Sequence, residues 1–310
     1  MAVGSKKAIY AALFGNLGIA ITKFIAAIIT GSAAMWAESY HSASDTVNQI
    51  LLLFGVKQSK KAHSFSHQFG YSKEQFFWSF IVATMIFGIS GILSLEQGIS
   101  ILLNPGEKTP EDPTINYIVL IIAFCFEGNA LRIAVKQFGK SIKNKGHENN
   151  VKSFIQEFKE SKDTSLLTVI VEDTAALAGI GVAAIGIFLS SVTGNIIYDA
   201  ISSVIIGSIL MVFAFFLAKE NKDLLVGESI TKREYSEVIK SVKTIPEVKK
   251  IVTMRTMHLG PEDVIIGIQV NLIDDLDTDK IERVTDNIEK AIMKVLPNLN
   301  GQHIFVEIEG

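Results

Sequence analysis

His41 and Asp45 stand four residues apart in the segment Trp36–Gln49. On an α-helix that spacing puts an imidazole and a carboxylate on one face, one turn apart. Glu38, three residues before His41, shares the stripe. A nitrogen donor and oxygen donors on a common face make half of a divalent-cation site. A polar helix–helix contact of His, Asp and Ser would use the same residues without any ion. Farther along, Glu172 and Asp173 are adjacent acids in the otherwise apolar run Val169–Gly179. Adjacent helical residues point about 100° apart. One carboxylate can therefore face an ion while the other meets a proton, a hydroxyl or another helix. Both lie well inside their apolar run, away from the polar Ser161–Lys162–Asp163 at its start.

The elements that must position these residues are membrane spans. Six apolar stretches, at 8–29, 34–57, 75–103, 115–137, 164–190 and 196–218, are each long enough to cross a bilayer, which takes about 20 helical residues. In lipid the backbone must satisfy its own hydrogen bonds, so such runs are helices. An ionisable group at that depth is costly and faces a cavity or a partner. Lysines crowd the loops after the second and fourth spans, whereas the loops on the other side hold only Lys108. Both termini are therefore expected on the cytoplasmic side. No cleavable signal peptide is evident behind Lys6–Lys7, and the missing presequence and compact loops point to a prokaryotic plasma membrane. The single cysteine, Cys125, excludes a disulfide framework and a CxxC metal knuckle. A net charge of −3 makes no case for nucleic acid as a partner.

Near residue 220 charge density rises and apolar runs shorten. Tyr235, Val238, Ile239 and Val242 fit one helix face, and Ile281, Val284, Ile288, Ile292 and Val295 another. Val248–His258, Val264–Leu272 and His303–Glu309 read as strands, the first two joined at Gly260–Pro261. The expectation is an α-helical membrane protein with a six-helix domain over 1–220 and an αββαβ, ferredoxin-like α+β domain over 221–310. The segment 147–162 can form a short surface helix between spans.

His41-x-x-x-Asp45, the run Phe69-Gly-Tyr-Ser-Lys73, Tyr198–Asp199 opening the sixth span and the αββαβ tail are together similar to the cation diffusion facilitator family of metal/proton antiporters. Glu38-x-x-His41-Ser-x-Ser-Asp45-Thr and Glu172-Asp173-Thr-Ala-Ala most resemble the branch with the animal mitochondrial zinc transporter. The resemblance implies a homodimer in membrane lipid, held together by the tail. It also implies a transport site of two positions on the second span and two on the fifth. His41 and Asp45 match the first pair. For the second pair, one alignment sets Glu172 and Ala176 on the family's His and Asp positions; another sets Val169 and Asp173 there. The usual HxxxD is absent in either case. Lys73 and Asp199 match a family ion pair between the third and sixth spans.

The expected activity is zinc export in exchange for protons by alternating access, with Zn²⁺ as cargo and Mn²⁺, Fe²⁺ or Co²⁺ compatible with the same donors. A manganese or iron(II) carrier is the alternative. No HExxH-type motif supports a membrane zinc enzyme. Asn16 and Glu38 are further candidate ligands, and His63 and His67 a candidate loop site, although Ser64 and Tyr71 stand where the family places ligands. Val252, Ile268, Glu307 and Glu309 occupy the family's tail-ligand positions, so a dimer-bridging zinc is not expected. Lys23 and Glu96 read as residues near helix ends that extend to the interface. Glu127 and Asn129 read as a polar pair in the fourth span.

Overall fold

The computed structural model describes residues 6–105, 112–144, 154, 155, 158, 161, 164–261, 263–297, 299 and 301–309. The segment 147–162 lies largely outside the described residues. The chain divides into two compact units. One comprises residues 1–56, 77–159 and 164–221; the other comprises 57–76, 160–163 and 222–310. The loop after the second span thus groups with the C-terminal residues.

The first unit is helical: α1 (Lys6–Thr30), α2 (Ala33–Ser59), α3 (Glu74–Ile81), a π-helical turn (Val82–Phe87), α4 (Gly88–Leu103), α5 (Thr114–Asn144), α6 (Thr164–Thr193) and α7 (Ile197–Val226). Among the described residues, five stretches are long and apolar enough to cross a membrane: Leu13–Thr30, Glu74–Leu103, Thr114–Lys140, Leu166–Thr193 and Ile197–Val226. The remaining expected span is α2. It is long enough at 27 residues, but Glu38, His41, Asp45 and Asn48 reduce its hydropathy. Those four side chains are buried by neighbouring helices.

Burial is inverted relative to a water-soluble bundle. Phe14, Ile21, Phe24, Ile25 and Ile28 of α1 are exposed, as are Ile118, Ile121, Ile122, Phe124 and Phe126 of α5. Small residues fill the interior, among them Ala26, Ala27, Ala37, Ala123, Ala175 and Ala183. Lipid tails are as apolar as leucine, so close backbone approach and polar contacts drive helix association instead. The crossing of α4 and α7 follows this rule: a Cβ at Gly98 would lie 2.7 Å from the Ala200 carbonyl, and one at Gly207 2.8 Å from the Gly91 carbonyl. The Ser203 hydroxyl donates to the Ser94 carbonyl at 2.8 Å across the same crossing.

The buried start of α2 is capped by another helix. Asp199, in the first turn of α7, accepts from the Ser32 hydroxyl at 2.7 Å, from the Ala33 N–H at 2.5 Å and from the Ala34 N–H at 3.3 Å. A carboxylate suits the positive end of the helix dipole and its unsatisfied donors. Asp199→Ala should cost about 1–3 kcal/mol by stranding them, read as a lower midpoint of thermal unfolding in detergent, with Asp199→Asn intermediate. Among the described residues, Asp199 has the partners just named, and Lys73, expected to pair with it, has others. The Lys73 ammonium donates to the Leu225 carbonyl at 3.3 Å. Leu225 lies in the last turn of α7, so the two side chains engage opposite ends of one helix.

The second unit holds α8 (Lys232–Val242), β1 (Val248–Gly260), β2 (Asp263–Leu272), α9 (Thr278–Val295) and β3 (Ile304–Glu309). The order αββαβ gives a three-stranded sheet with β2 central, antiparallel to β1 and parallel to β3. β2 alternates, burying Val264, Ile266, Ile268, Val270 and Leu272 in one core with Val238, Val242, Val284, Ile288 and Ile292 of the helices. Thr231 and Glu234 form a capping box at α8.

Asp277 caps α9 through a bond from the Lys280 N–H at 2.8 Å, which holds its carboxyl below the ordinary carboxylate value. A depressed folded-state value means a contribution present above the unfolded value and lost as pH falls through the folded one. Asp277→Asn keeps a cap without the charge. It should therefore reduce the loss of α9 stability below about pH 4, measured as the pH dependence of thermal unfolding by circular dichroism.

Candidate metal centre

The site is a row of side chains between α2 and α6. Glu38, His41, Asp45 and Asn48 recur at three- and four-residue intervals, one stripe down α2. The two helices run in opposite directions along it. Glu38 of α2 meets Gly179 of α6, where an added Cβ would strike the Glu38 Oε1 oxygen. Farther along, Asn48 donates to Glu172 Oε1 at 3.3 Å. Asp45 lies between these levels, within electrostatic range of Glu172. His41 Nδ1 is 3.4 Å from Asp45 Oδ1. His41, Asp45 and Glu172 are 1%, 4% and 4% exposed, so these donors are shielded from bulk solvent.

Two buried carboxyl groups this close repel one another when both are charged, and a cation between them relieves that repulsion. The His41–Asp45 separation carries further information. A tetrahedral shell with bonds of about 2.0–2.1 Å has edges of about 3.3 Å. The observed 3.4 Å matches such an edge and is long for a charge-assisted hydrogen bond. Among the described residues, no three His, Cys, Asp or Glu groups already converge on one point at coordination distance. Closing the set around an ion requires side-chain rotation within the row.

The structure separates the two adjacent acids of α6. Glu172 faces Asp45 and Asn48. Asp173 is buried with its Oδ2 atom lacking a hydrogen-bond partner among the described residues, and its electrostatic neighbours are Glu172 and Glu127. Glu127 of α5 is 6% exposed and also lies within electrostatic range of Lys23, Asp45 and Glu172. Asn129 is exposed. Two residues apart on a helix is about 200°, so 127 and 129 point to different faces. Asn48 is the residue that the sequence reading missed. Its signal was available, because it continues the 38–41–45 stripe by one turn.

Lys23 corrects another expectation. It does not extend to the interface. It is fully buried on α1, with its ammonium 2.7 Å from Glu38 Oε2 and 2.8 Å from the Ser42 hydroxyl. One oxygen of Glu38 is thereby committed to an internal cation. Asn16 is half-buried two turns before Lys23 on the same face of α1.

The loop histidines have separate partners. Residues 64–67 form a tight reversal with a Ser64–His67 bridge instead of a helical turn. His63 Nδ1 bonds the Gln68 carbonyl at 3.0 Å, and the His67 ring stacks on Tyr71 at 4.3 Å between centroids. His258 and His303 are 6% and 4% exposed, so neither is a surface histidine. His303 Nδ1 bonds Asp263 Oδ1 at 2.8 Å.

Comparison with known proteins places these features in a family. Residues 9–226 match the cation efflux transmembrane domain. The chain is 34% identical over 238 residues to a mouse protein, the proton-coupled zinc antiporter SLC30A9, mitochondrial, covering 77% of this chain and 41% of that one. It is 30% identical over 257 residues to metal tolerance protein C4 of Arabidopsis thaliana, covering 83% of this chain and 55% of that one. It thus spans about half or less of the length of these two relatives. The magnetosome protein MamB of Magnetospira sp. is 24% identical over 299 residues, covering 96% of this chain and 93% of that one. With the matched domain taking in every helix that carries the row of buried donors, the chain belongs to the cation efflux family of integral membrane proteins.

Proposed function

We propose that this chain is a transporter that carries a divalent metal ion, zinc above others, out of the cytoplasm in exchange for protons. His41, Asp45 and Glu172 are the main ligands and Asn48 completes the set. The observation that carries this reading is the buried row in which His41 and Asp45 stand 3.4 Å apart while Glu172 reaches Asp45 from another helix. Metal binding needs a neutral imidazole and ionised carboxylates, so an arriving ion displaces protons from these groups. When the path opens to the other side, a returning proton competes for the same oxygens and frees the ion. Glu127 and Asp173 are further acids beside the row and extend the proton path. Alternating access then amounts to helix groups rocking about a midplane site. The named activities of the mouse and plant relatives support this class of cargo. The lysine-rich loops support cytoplasmic termini, and the αββαβ unit supports a homodimer joined through that part of the chain.

A second reading, manganese or iron(II) as cargo, is favoured by the oxygen majority among the donors. The test is uptake by proteoliposomes containing the full chain, driven by an outward proton gradient, with Zn²⁺, Mn²⁺, Fe²⁺ and Co²⁺ in competition. Zinc uptake that collapses with a protonophore is expected. Uptake of none of the four metals would overturn the transport reading, and preference for Mn²⁺ or Fe²⁺ would select the second.

A further inference from the structure

We propose that Lys23 is a tethered counter-cation that withdraws Glu38 from the ion site, so that the row accepts one zinc-like ion and not a harder, carboxylate-preferring one. The inference rests on the transport-site reading above and adds a specificity-determining residue outside the ligand set.

Glu38 is placed to be a ligand. It lies one turn from His41 on the same face, it is fully buried, and its Oε1 atom has no hydrogen-bond partner among the described residues. Gly179 opposite leaves room for that oxygen, since an added Cβ there would collide with it. Lys23 supplies what holds the other oxygen back. Its ammonium is buried completely, donates to Glu38 Oε2 at 2.7 Å and is steadied by Ser42 at 2.8 Å. A buried carboxylate this close to a fixed positive charge is neutralised without an ion.

The consequence is one of composition. With Glu38 withheld, the available donors are one imidazole, two carboxylates and an amide, a set that a four-coordinate zinc ion satisfies. With Glu38 released, a third carboxylate joins one turn away. More oxygen donors at higher total negative charge favour Mn²⁺, which prefers carboxylates and higher coordination. The positive charge of Lys23 also repels any divalent ion, whatever its identity. The ratio of affinities isolates the part that passes through Glu38.

The experiment measures Zn²⁺ and Mn²⁺ binding to the purified full-length chain in detergent by equilibrium dialysis, for the wild type, Lys23→Gln, and the double variant Lys23→Gln/Glu38→Gln. Lys23→Gln keeps a donor for Glu38 and removes the charge. It should raise the Mn²⁺-to-Zn²⁺ affinity ratio by about tenfold, and the neutral double variant should return the ratio to within about threefold of the wild type. An unchanged ratio in Lys23→Gln overturns the inference. The double variant decides independently if the single one is not recovered folded: a loss of zinc affinity beyond about tenfold would make Glu38 a ligand in the native protein and also overturn it. Failure of the wild type to transport any metal would instead remove the transport reading, which distinguishes the two failures.

Discussion

Glu172→Ala should lower zinc uptake by proteoliposomes more than about 100-fold, while Asp173→Ala should leave the affinity for zinc within about tenfold of the wild type and slow the cycle instead. The two acids are neighbours in sequence, yet only Glu172 faces Asp45 and receives the Asn48 amide. Loss of a group that merely orients a ligand already costs 10–100-fold in affinity, so loss of a ligand costs more. Asp173 sits toward Glu127 and touches none of the α2 donors in any described bond. Its removal should therefore appear in the maximal rate and its dependence on the proton gradient, and less in the half-saturating zinc concentration. His41→Ala and Asp45→Ala belong with Glu172→Ala. Zinc transport at the wild-type rate in any of those three variants would remove the site.

The second large effect concerns the crossing of α4 and α7. Gly207→Val should destabilise the folded chain by about 3 kcal/mol, seen as loss of monodisperse protein in detergent or a strongly lowered unfolding midpoint. A Cβ at 207 would lie 2.8 Å from both the Gly91 carbonyl and the Leu95 N–H nitrogen. Those atoms belong to a helix backbone and cannot move aside as a side-chain tip can. Gly181→Ala provides the control. It lies in α6, where an added Cβ meets nothing within 4 Å, and a helical Gly→Ala exchange into open space is neutral or stabilising by up to about 1 kcal/mol. If both variants behave alike, close packing at 207 is not what holds these helices together.

Much of the architecture was legible in the chain itself. Hydropathy locates apolar spans because lipid imposes one simple condition, an internally bonded backbone. The αββαβ order of the second unit was legible because its periods of two and 3.6 differ sharply between 248–272 and 281–295. The polar stripe of α2 was legible from spacing alone, since His41 and Asp45 must share a face of any helix that contains both.

What spacing could not determine is which groups meet across helices. A hydropathy window treats Lys23 as one charge in an apolar run and assigns it to an interface. Only the packing of α1 on α2 reveals that its ammonium ends on Glu38, because a buried cation is tolerable only where a partner from another helix arrives. The same holds for Asp199. Its carboxylate satisfies N–H groups at the start of α2, a partner that sequence spacing does not reveal. The choice between Glu172 and Asp173 likewise depends on the rotation of α6 about its own axis, a quantity set by contacts with α2 and α5. The sequence by itself determined the apolar helices, the small α+β unit and the face of α2 that carries the polar stripe, because those follow from local composition and periodicity. The tertiary structure alone decided the pairing of charges, because a charge buried away from water is governed by the nearest opposite charge in space.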